Sequence, residues 1–228
     1  MQIGALIFPD MDQMDFTGPF EVLGRLPEAK IHVIWKQLTP IADGMGLILT
    51  PNATLDTAPP LDVLVAPGGR GQLPLMDDER LLAWLRARAS KTRYILSVCT
   101  GALTLGAAGL LRGRRATTHW NSFHLLPYFG AVAEDARVVI DGNLISTAGV
   151  SAGIDGSLHL AALLSGEDVA RRIQLEIQYA PEPPFAGGTP ATAPASILAS
   201  ARQSAGRITA ARLDAAKRAA ERLGISRP

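Results

Sequence analysis

Short runs of apolar and β-branched residues alternate along the chain with longer stretches of helix-forming character. Gln2–Phe8, Ile31–Trp35, Leu61–Ala66, Tyr94–Val98 and Val138–Ile145 read as strands. Most of them are apolar almost throughout, the pattern of strands covered on both faces. Asp15–Leu26, Asp77–Ser90, Thr100–Leu111 and Ser151–Leu164 read as helices between them. Asp77 and Asp78 put negative charge where a helix N-terminus favours it. Strict alternation of this kind predicts an α/β sandwich around a mostly parallel sheet. No internal repeat is visible. Residues 1–180 are expected to form one domain. Beyond them "APEPPFAGGTPATAPAS" is rich in Pro, Gly, Ala and Thr, which predicts an irregular arm over 181–195. Residues 196–228 follow, with an alanine-rich helix over 196–223 that is expected to pack on the domain or on a second copy of the chain.

Composition narrows the function classes. Of the 228 residues, 47% are hydrophobic and 19% charged, enough apolar material for a full core. The net charge of +1 gives no electrostatic reason to expect nucleic acid or an anionic membrane surface. No stretch reaches the roughly 20 apolar residues of a membrane span. The start, "MQIGALIFPDMDQMD", reads as a buried first strand rather than a secretory signal, so the expected location is the cytoplasm. A single cysteine excludes an internal disulfide and a Cys-rich metal site. His32, His119, His124 and His159 show no ligand spacing, so no metal is expected.

That one cysteine stands in "RYILSVCTGALTLGAAGLL", at the corner between a strand and a helix. A nucleophile at such an elbow lies at the C-terminal edge of the sheet, where open α/β folds bind ligands. The helix N-terminus behind Cys99 is expected to lower the thiol pKa. A buried structural cysteine is the alternative. "APGGRGQ" places Gly68 and Gly69 after another strand, where backbone N–H groups face a reacting centre or merely turn a loop. It lacks the spacing of a dinucleotide site. In "DMDQMDFTGPFEVL" Asp15 either caps a helix or projects toward the same edge as Cys99. His119 is either a structural histidine or a partner of Cys99. "TAGVSAGID" borders a pocket at Val150 or is a simple loop with Ser151 as its cap. The basic residues Arg202, Arg207, Arg212, Lys217 and Arg222 recur every five. At about 100° per residue that spacing leaves no single basic face, which argues against DNA binding.

Taken in order, "MDFTGPFEVL", "DVLVAPGG", "SVCTGALTLGAAGLLRGRRATTHW" and "DGNLISTAGVSAGID" make the chain resemble the ThiJ/PfpI group of the glutamine-amidotransferase-like cysteine superfamily over residues 2–180. The resemblance is closer still to isocyanide-hydrating members, the segment "QYAPEPPFAGGTPATAPAS" included. It implies a flavodoxin-like three-layer fold with helices on both faces and a nucleophile elbow. It also implies hydration of isocyanides to N-substituted formamides through a cysteine thioimidate, with no cofactor, in a homodimer. Cys99 matches the nucleophile, Asp15 the proton carrier and Thr100 the residue after the nucleophile, with a possible Thr100–Asp15 hydrogen bond. Gly68, Gly69, Val150 and His119 fall at the positions that border the substrate. The same core is similar to the N-terminal half of some AraC-type regulators, whose DNA-binding domain this chain has no room for. Other cysteine-dependent enzymes of the superfamily (glyoxalase, deglycase, peptidase) and a redox sensor are the competing expectations.

Overall fold

In the computed structural model, which describes residues 1–226, the chain builds a central sheet with helices around it. β1 (Gln2–Leu6) leads through α1 (Gln13–Leu23) to β2 (Lys30–Trp35). A small hairpin of β3 (Ile41–Ala42) and β4 (Ile48–Leu49) precedes the short edge strand β5 (Ala53–Thr54). The chain then crosses back to β6 (Val63–Ala66), a 3-10 segment Arg70–Asp77, α2 (Glu79–Ala89), β7 (Tyr94–Val98) and α3 (Gly101–Ala107). Next come β8 (Arg115–Ala116), a second 3-10 segment Trp120–Phe129, β9 (Val132–Ala133), β10 (Val138–Asp141) and β11 (Leu144–Thr147). Helices α4 (Ala152–Ser165), α5 (Glu167–Glu176) and α6 (Ala195–Leu223) complete the described chain. Arg227 and Pro228, the end of the expected 196–228 segment, lie outside the described residues.

The sheet runs β10-β11-β7-β6-β1-β2-β5, and every neighbouring pair is parallel except β10 with β11. The chain lays β2 and β5 to one side of β1 and then returns to lay β6, β7 and β11 on the other. The switch point therefore falls between β1 and β6, and the loops leaving their C-terminal ends flank the crevice that such topologies leave for ligands. Helices α1, α4 and α5 pack with one another, while α2, α3, α6 and the two 3-10 segments form a second group. Two expected elements change shape. The stretch Val138–Ile145 is not one strand: Gly142, at φ 59°, turns it into the β10–β11 hairpin. The helix expected over Asp77–Ser90 starts later, because the Asp78 carboxylate accepts the Leu81 N–H and caps α2 there.

Close approach at one glycine fixes the corner between β7 and α3. A Cβ on Gly101 would stand 2.0 Å from the carbonyl oxygen of Ala66. The added atom would be fixed to the α3 backbone and the oxygen belongs to the buried β6 backbone, so neither can yield cheaply. Gly101→Ala is expected to cost about 1–3 kcal/mol through overpacking, read as a lower urea midpoint. An unchanged midpoint would show that α3 has freedom to move away from β6.

Helix α6 docks through the face formed by Arg212, Ala215, Ala216, Ala219 and Ala220, all buried. It lies against both 3-10 segments and α3 of its own chain. Its outer turns are tied down by Arg218 and Arg222, whose guanidinium groups reach Asp77 at 2.6 and 2.8 Å. Those two cations hold the Asp77 carboxyl below its ordinary range. Among the described residues no helix is long and apolar enough to cross a membrane.

Candidate active site

Three loops at the C-terminal edge of the sheet converge. The loop after β1 is stitched to the loop after β6: Asp12 N–H donates to Gly68 O at 3.0 Å and Gly71 N–H donates to Asp10 O at 2.8 Å. Gly69 sits at φ 116°, and a Cβ there would lie 2.2 Å from Asp12 N, so only glycine fits. Cys99, the first residue after β7, has φ 54°. For a residue with a side chain this left-handed backbone is strained by about 1 kcal/mol or more. The surroundings hold it: the Thr118 hydroxyl donates to Cys99 O at 2.7 Å, and the Gly101 contact seats α3 directly behind.

Asp12, not Asp15, caps α1 by accepting the Met14 N–H at 3.2 Å. Asp15, freed of that task, is completely buried and turned to the loop after β6, where its Oδ2 accepts the Gly68 N–H at 2.9 Å. Its Oδ1 is buried without a hydrogen-bond partner of good geometry. Burial, reinforced by the nearby Asp12 charge, pushes the Asp15 carboxyl up to about 7. The Cys99 thiol is close enough for the two groups to shift each other's proton affinity.

The thiol itself departs from expectation. Thr100 N–H at the start of α3 does pull the Cys99 pKa down, but burial and the Asp15 charge outweigh it and push the thiol well up. With Cys99 buried, the sulfur gains less from the helix N-terminus than it loses by leaving water. Above about pH 7 the pair therefore carries its negative charge on Asp15 and keeps its proton on sulfur, rather than holding a free thiolate beside a neutral acid.

The glycine pair serves the site differently from a bare oxyanion hole. Gly68 N–H goes to Asp15, and Gly69 N–H donates to Thr100 Oγ1 at 3.1 Å. The Thr100 hydroxyl is thereby engaged with Gly69 and forms no hydrogen bond to Asp15. Cys99, Asp15, Thr100, Gly68 and Gly69 thus meet in one place. His119 does not join Cys99 by a hydrogen bond; its Nδ1 accepts the Asn121 N–H at 3.3 Å and caps the 3-10 segment Trp120–Phe129. Burial, followed by the Arg212 charge, lowers its pKa to about 4, so it is neutral at physiological pH. Val150 lies partly buried in the loop between β11 and α4, next to Gly149, whose open Cβ position is 3.6 Å from the His119 ring. Ser151 does not cap α4 through its side chain; its Oγ accepts from Arg137 instead.

One further residue of the site lies far away in sequence. Arg212 on α6 reaches across to the loop after β6, where its Nη2 donates to Gly69 O at 2.6 Å and contacts Thr100 Oγ1 at 3.4 Å, and its Nε donates to Gln72 Oε1 at 3.2 Å. A five-residue spacing of basic side chains hid it. The usable signal is the helical face it shares with Ala215, Ala216, Ala219 and Ala220, where an arginine among alanines is out of place on an exposed helix.

Fold and site together define a cysteine-elbow α/β protein, with a buried cysteine after one central strand and a buried acid from the loop after another. The chain belongs to the DJ-1/PfpI family, whose model matches residues 1–163. It is 48% identical over 225 residues to the protein of Pseudomonas putida named isonitrile hydratase, covering 99% of each chain. The crystal structure of a ThiJ/PfpI family protein from Pseudomonas syringae superposes with a TM-score of 0.92 at 41% identity, covering 94% of this chain and 90% of that one. A 34% match to a helix-turn-helix transcriptional regulator of Pseudomonas aeruginosa spans 75% of this chain but only 48% of the regulator.

Proposed function

We propose that the chain hydrates isocyanides to N-substituted formamides, R–NC + H2O → R–NH–CHO, with Cys99 as nucleophile and Asp15 as proton carrier. The observation that carries this reading is the buried Asp15 carboxyl, poised near 7 beside the Cys99 thiol. The full-length likeness to a protein named isonitrile hydratase supports the substrate class.

The terminal carbon of an isocyanide must gain a nucleophile and a proton together. Ionised Asp15 takes the proton from Cys99 Sγ as the sulfur attacks that carbon, then hands the proton to the same carbon. The product of this half is a thioimidate, R–N=CH–S–Cys99, on the enzyme. Asp15, again ionised, accepts a proton from water while the oxygen adds to the thioimidate carbon, and hands that proton to the nitrogen, which leaves Asp15 ionised once more. Collapse of the resulting R–NH–CH(OH)–S–Cys99 breaks the C–S bond and returns the hydroxyl proton to the sulfur through Asp15. Formamide leaves and the pair is restored.

The raised pKa of the Cys99 thiol disfavours the redox-sensor alternative, which needs a standing thiolate. In the enzyme a buried thiol is no handicap, because its base sits beside it. Homodimer formation, expected by resemblance, and a cytoplasmic location, expected from the reading of the first strand, belong to this reading.

The test is an ultraviolet assay of purified protein with an aryl isocyanide; steady formation of the formamide supports the reading, and none at any pH overturns it. The pH profile is a second prediction. One negative charge on the Cys99–Asp15 pair is required, so turnover falls as pH drops through about 7, where Asp15 takes up its proton. A profile flat between pH 5 and 8 would remove Asp15 from the proton path.

A further inference from the structure

Among the described residues, Arg212 is the only lysine or arginine buried from solvent. Among the described residues it forms no ion pair with a carboxylate within 4.0 Å; its hydrogen-bond partners there, Gly69 O, Thr100 Oγ1 and Gln72 Oε1, are all neutral. A buried guanidinium is costly unless a negative charge compensates it. The packing does not ask for arginine, since the rest of the buried face of α6 is alanine. The compensating charge is at hand in the Cys99–Asp15 pair next to the Thr100 contact: burial lowers the Arg212 pKa, and negative charge on either group of the pair works against that.

The contacts show how the cation is aimed. Thr100 Oγ1 receives the Gly69 N–H, while Arg212 Nη2 holds the Gly69 carbonyl and touches the same hydroxyl. Arg212 therefore grips both polar ends of the clasp that links the loop after β6 to the residue after the nucleophile. The other charges around the site are Asp12, which opposes the negative charge of the pair, with Asp43 behind it, and Arg70, which repels Arg212 from the 3-10 segment Arg70–Asp77. His119 is neutral there.

We propose that Arg212 is a positioning residue of the reaction, the fixed counter-cation of the single negative charge on the Cys99–Asp15 pair and the lock on the Gly69–Thr100 clasp beside it. The inference rests on the chemistry assigned above to that pair. Helix α6 is thus part of the site and not only a cover on the domain.

The experiment measures the pH dependence of Cys99 alkylation by iodoacetamide in the full chain, alongside kcat and KM for an aryl isocyanide. In Arg212→Met the alkylation midpoint moves up by about one pH unit or more, the usual effect of removing a nearby opposite charge, and kcat falls more than KM changes. Arg212→Lys, which keeps the charge, brings the midpoint back toward that of the unaltered protein. Should Arg212→Met not fold, replacement of Arg212 by citrulline decides, because it keeps planar N–H donors and removes the charge alone; it shows the same upward shift. A citrulline or Met protein that folds with an unshifted midpoint overturns the proposal and leaves Arg212 a packing residue. Alkylation needs no isocyanide, so a chain that makes no formamide but shows the shift contradicts the assigned reaction and not the role of Arg212.

Discussion

Replacing Cys99 by alanine abolishes formamide formation, with turnover reduced by about 10⁴-fold or more, as when a nucleophile is removed outright. The fold survives. The side chain is small, and its left-handed backbone at φ 54° is as strained for alanine as for cysteine. Thr118 still holds the elbow carbonyl and Gly101 still seats α3. Stability is expected to change by no more than about 1–2 kcal/mol, read by thermal unfolding beside the activity assay. Turnover retained in a folded Cys99→Ala protein would eliminate covalent chemistry at this sulfur. Cys99→Ser tests the same point more gently: it keeps the shape of the elbow, and its weaker nucleophile leaves activity near that of alanine.

The second large effect is that of Asp15→Asn, which separates the proton path from the nucleophile. Asparagine keeps an oxygen for the Gly68 N–H, so the loops stay in register. It cannot accept the thiol proton or return it, and turnover falls by about 10²–10⁴-fold, the usual contribution of general acid–base catalysis. The thiol remains open to alkylation. Stability moves the other way. The Asp15 carboxyl is raised in the fold to about 7 from an ordinary value of 3.8, first by burial and then by Asp12. A carboxyl raised in this manner favours the folded state fully only below its unfolded pKa, and that advantage is lost as pH rises through the folded value. Ionised Asp15 therefore destabilises the protein at pH 8, by on the order of a few kcal/mol. Asp15→Asn is expected to melt higher than the unaltered protein at pH 8, with the gap closing toward pH 4. Equal melting temperatures at both values would mean that Asp15 is solvated and not strained. A site residue whose removal stabilises the fold is the signature of geometry kept for chemistry.

The central strands were legible because both faces of the sheet are covered, leaving near-continuous apolar runs such as Tyr94–Val98. The elbow was legible for a different reason: a lone cysteine followed by Thr100 and Gly101 marks the junction of two periodicities. What could not be read was through-space. By pattern Asp15 could cap the helix or turn toward Cys99; only the fold shows that Asp12 takes the Met14 N–H and leaves Asp15 to turn inward. The sign of the Cys99 pKa shift depended on burial, which local sequence does not state. Arg212 lies 112 residues beyond Thr100, and its role follows from how α6 docks, not from any motif around it. Two-residue strands such as β5 and β8 carry too few positions for a periodicity to show.

Rapid-quench mass spectrometry during turnover of an aryl isocyanide bears most directly on the chemistry. Whole protein should gain the full mass of the isocyanide within the first turnover, the added mass should map to Cys99, and it should disappear as formamide accumulates. Formamide appearing while Cys99 stays unmodified throughout would contradict attack by the sulfur and with it the reaction assigned to this site.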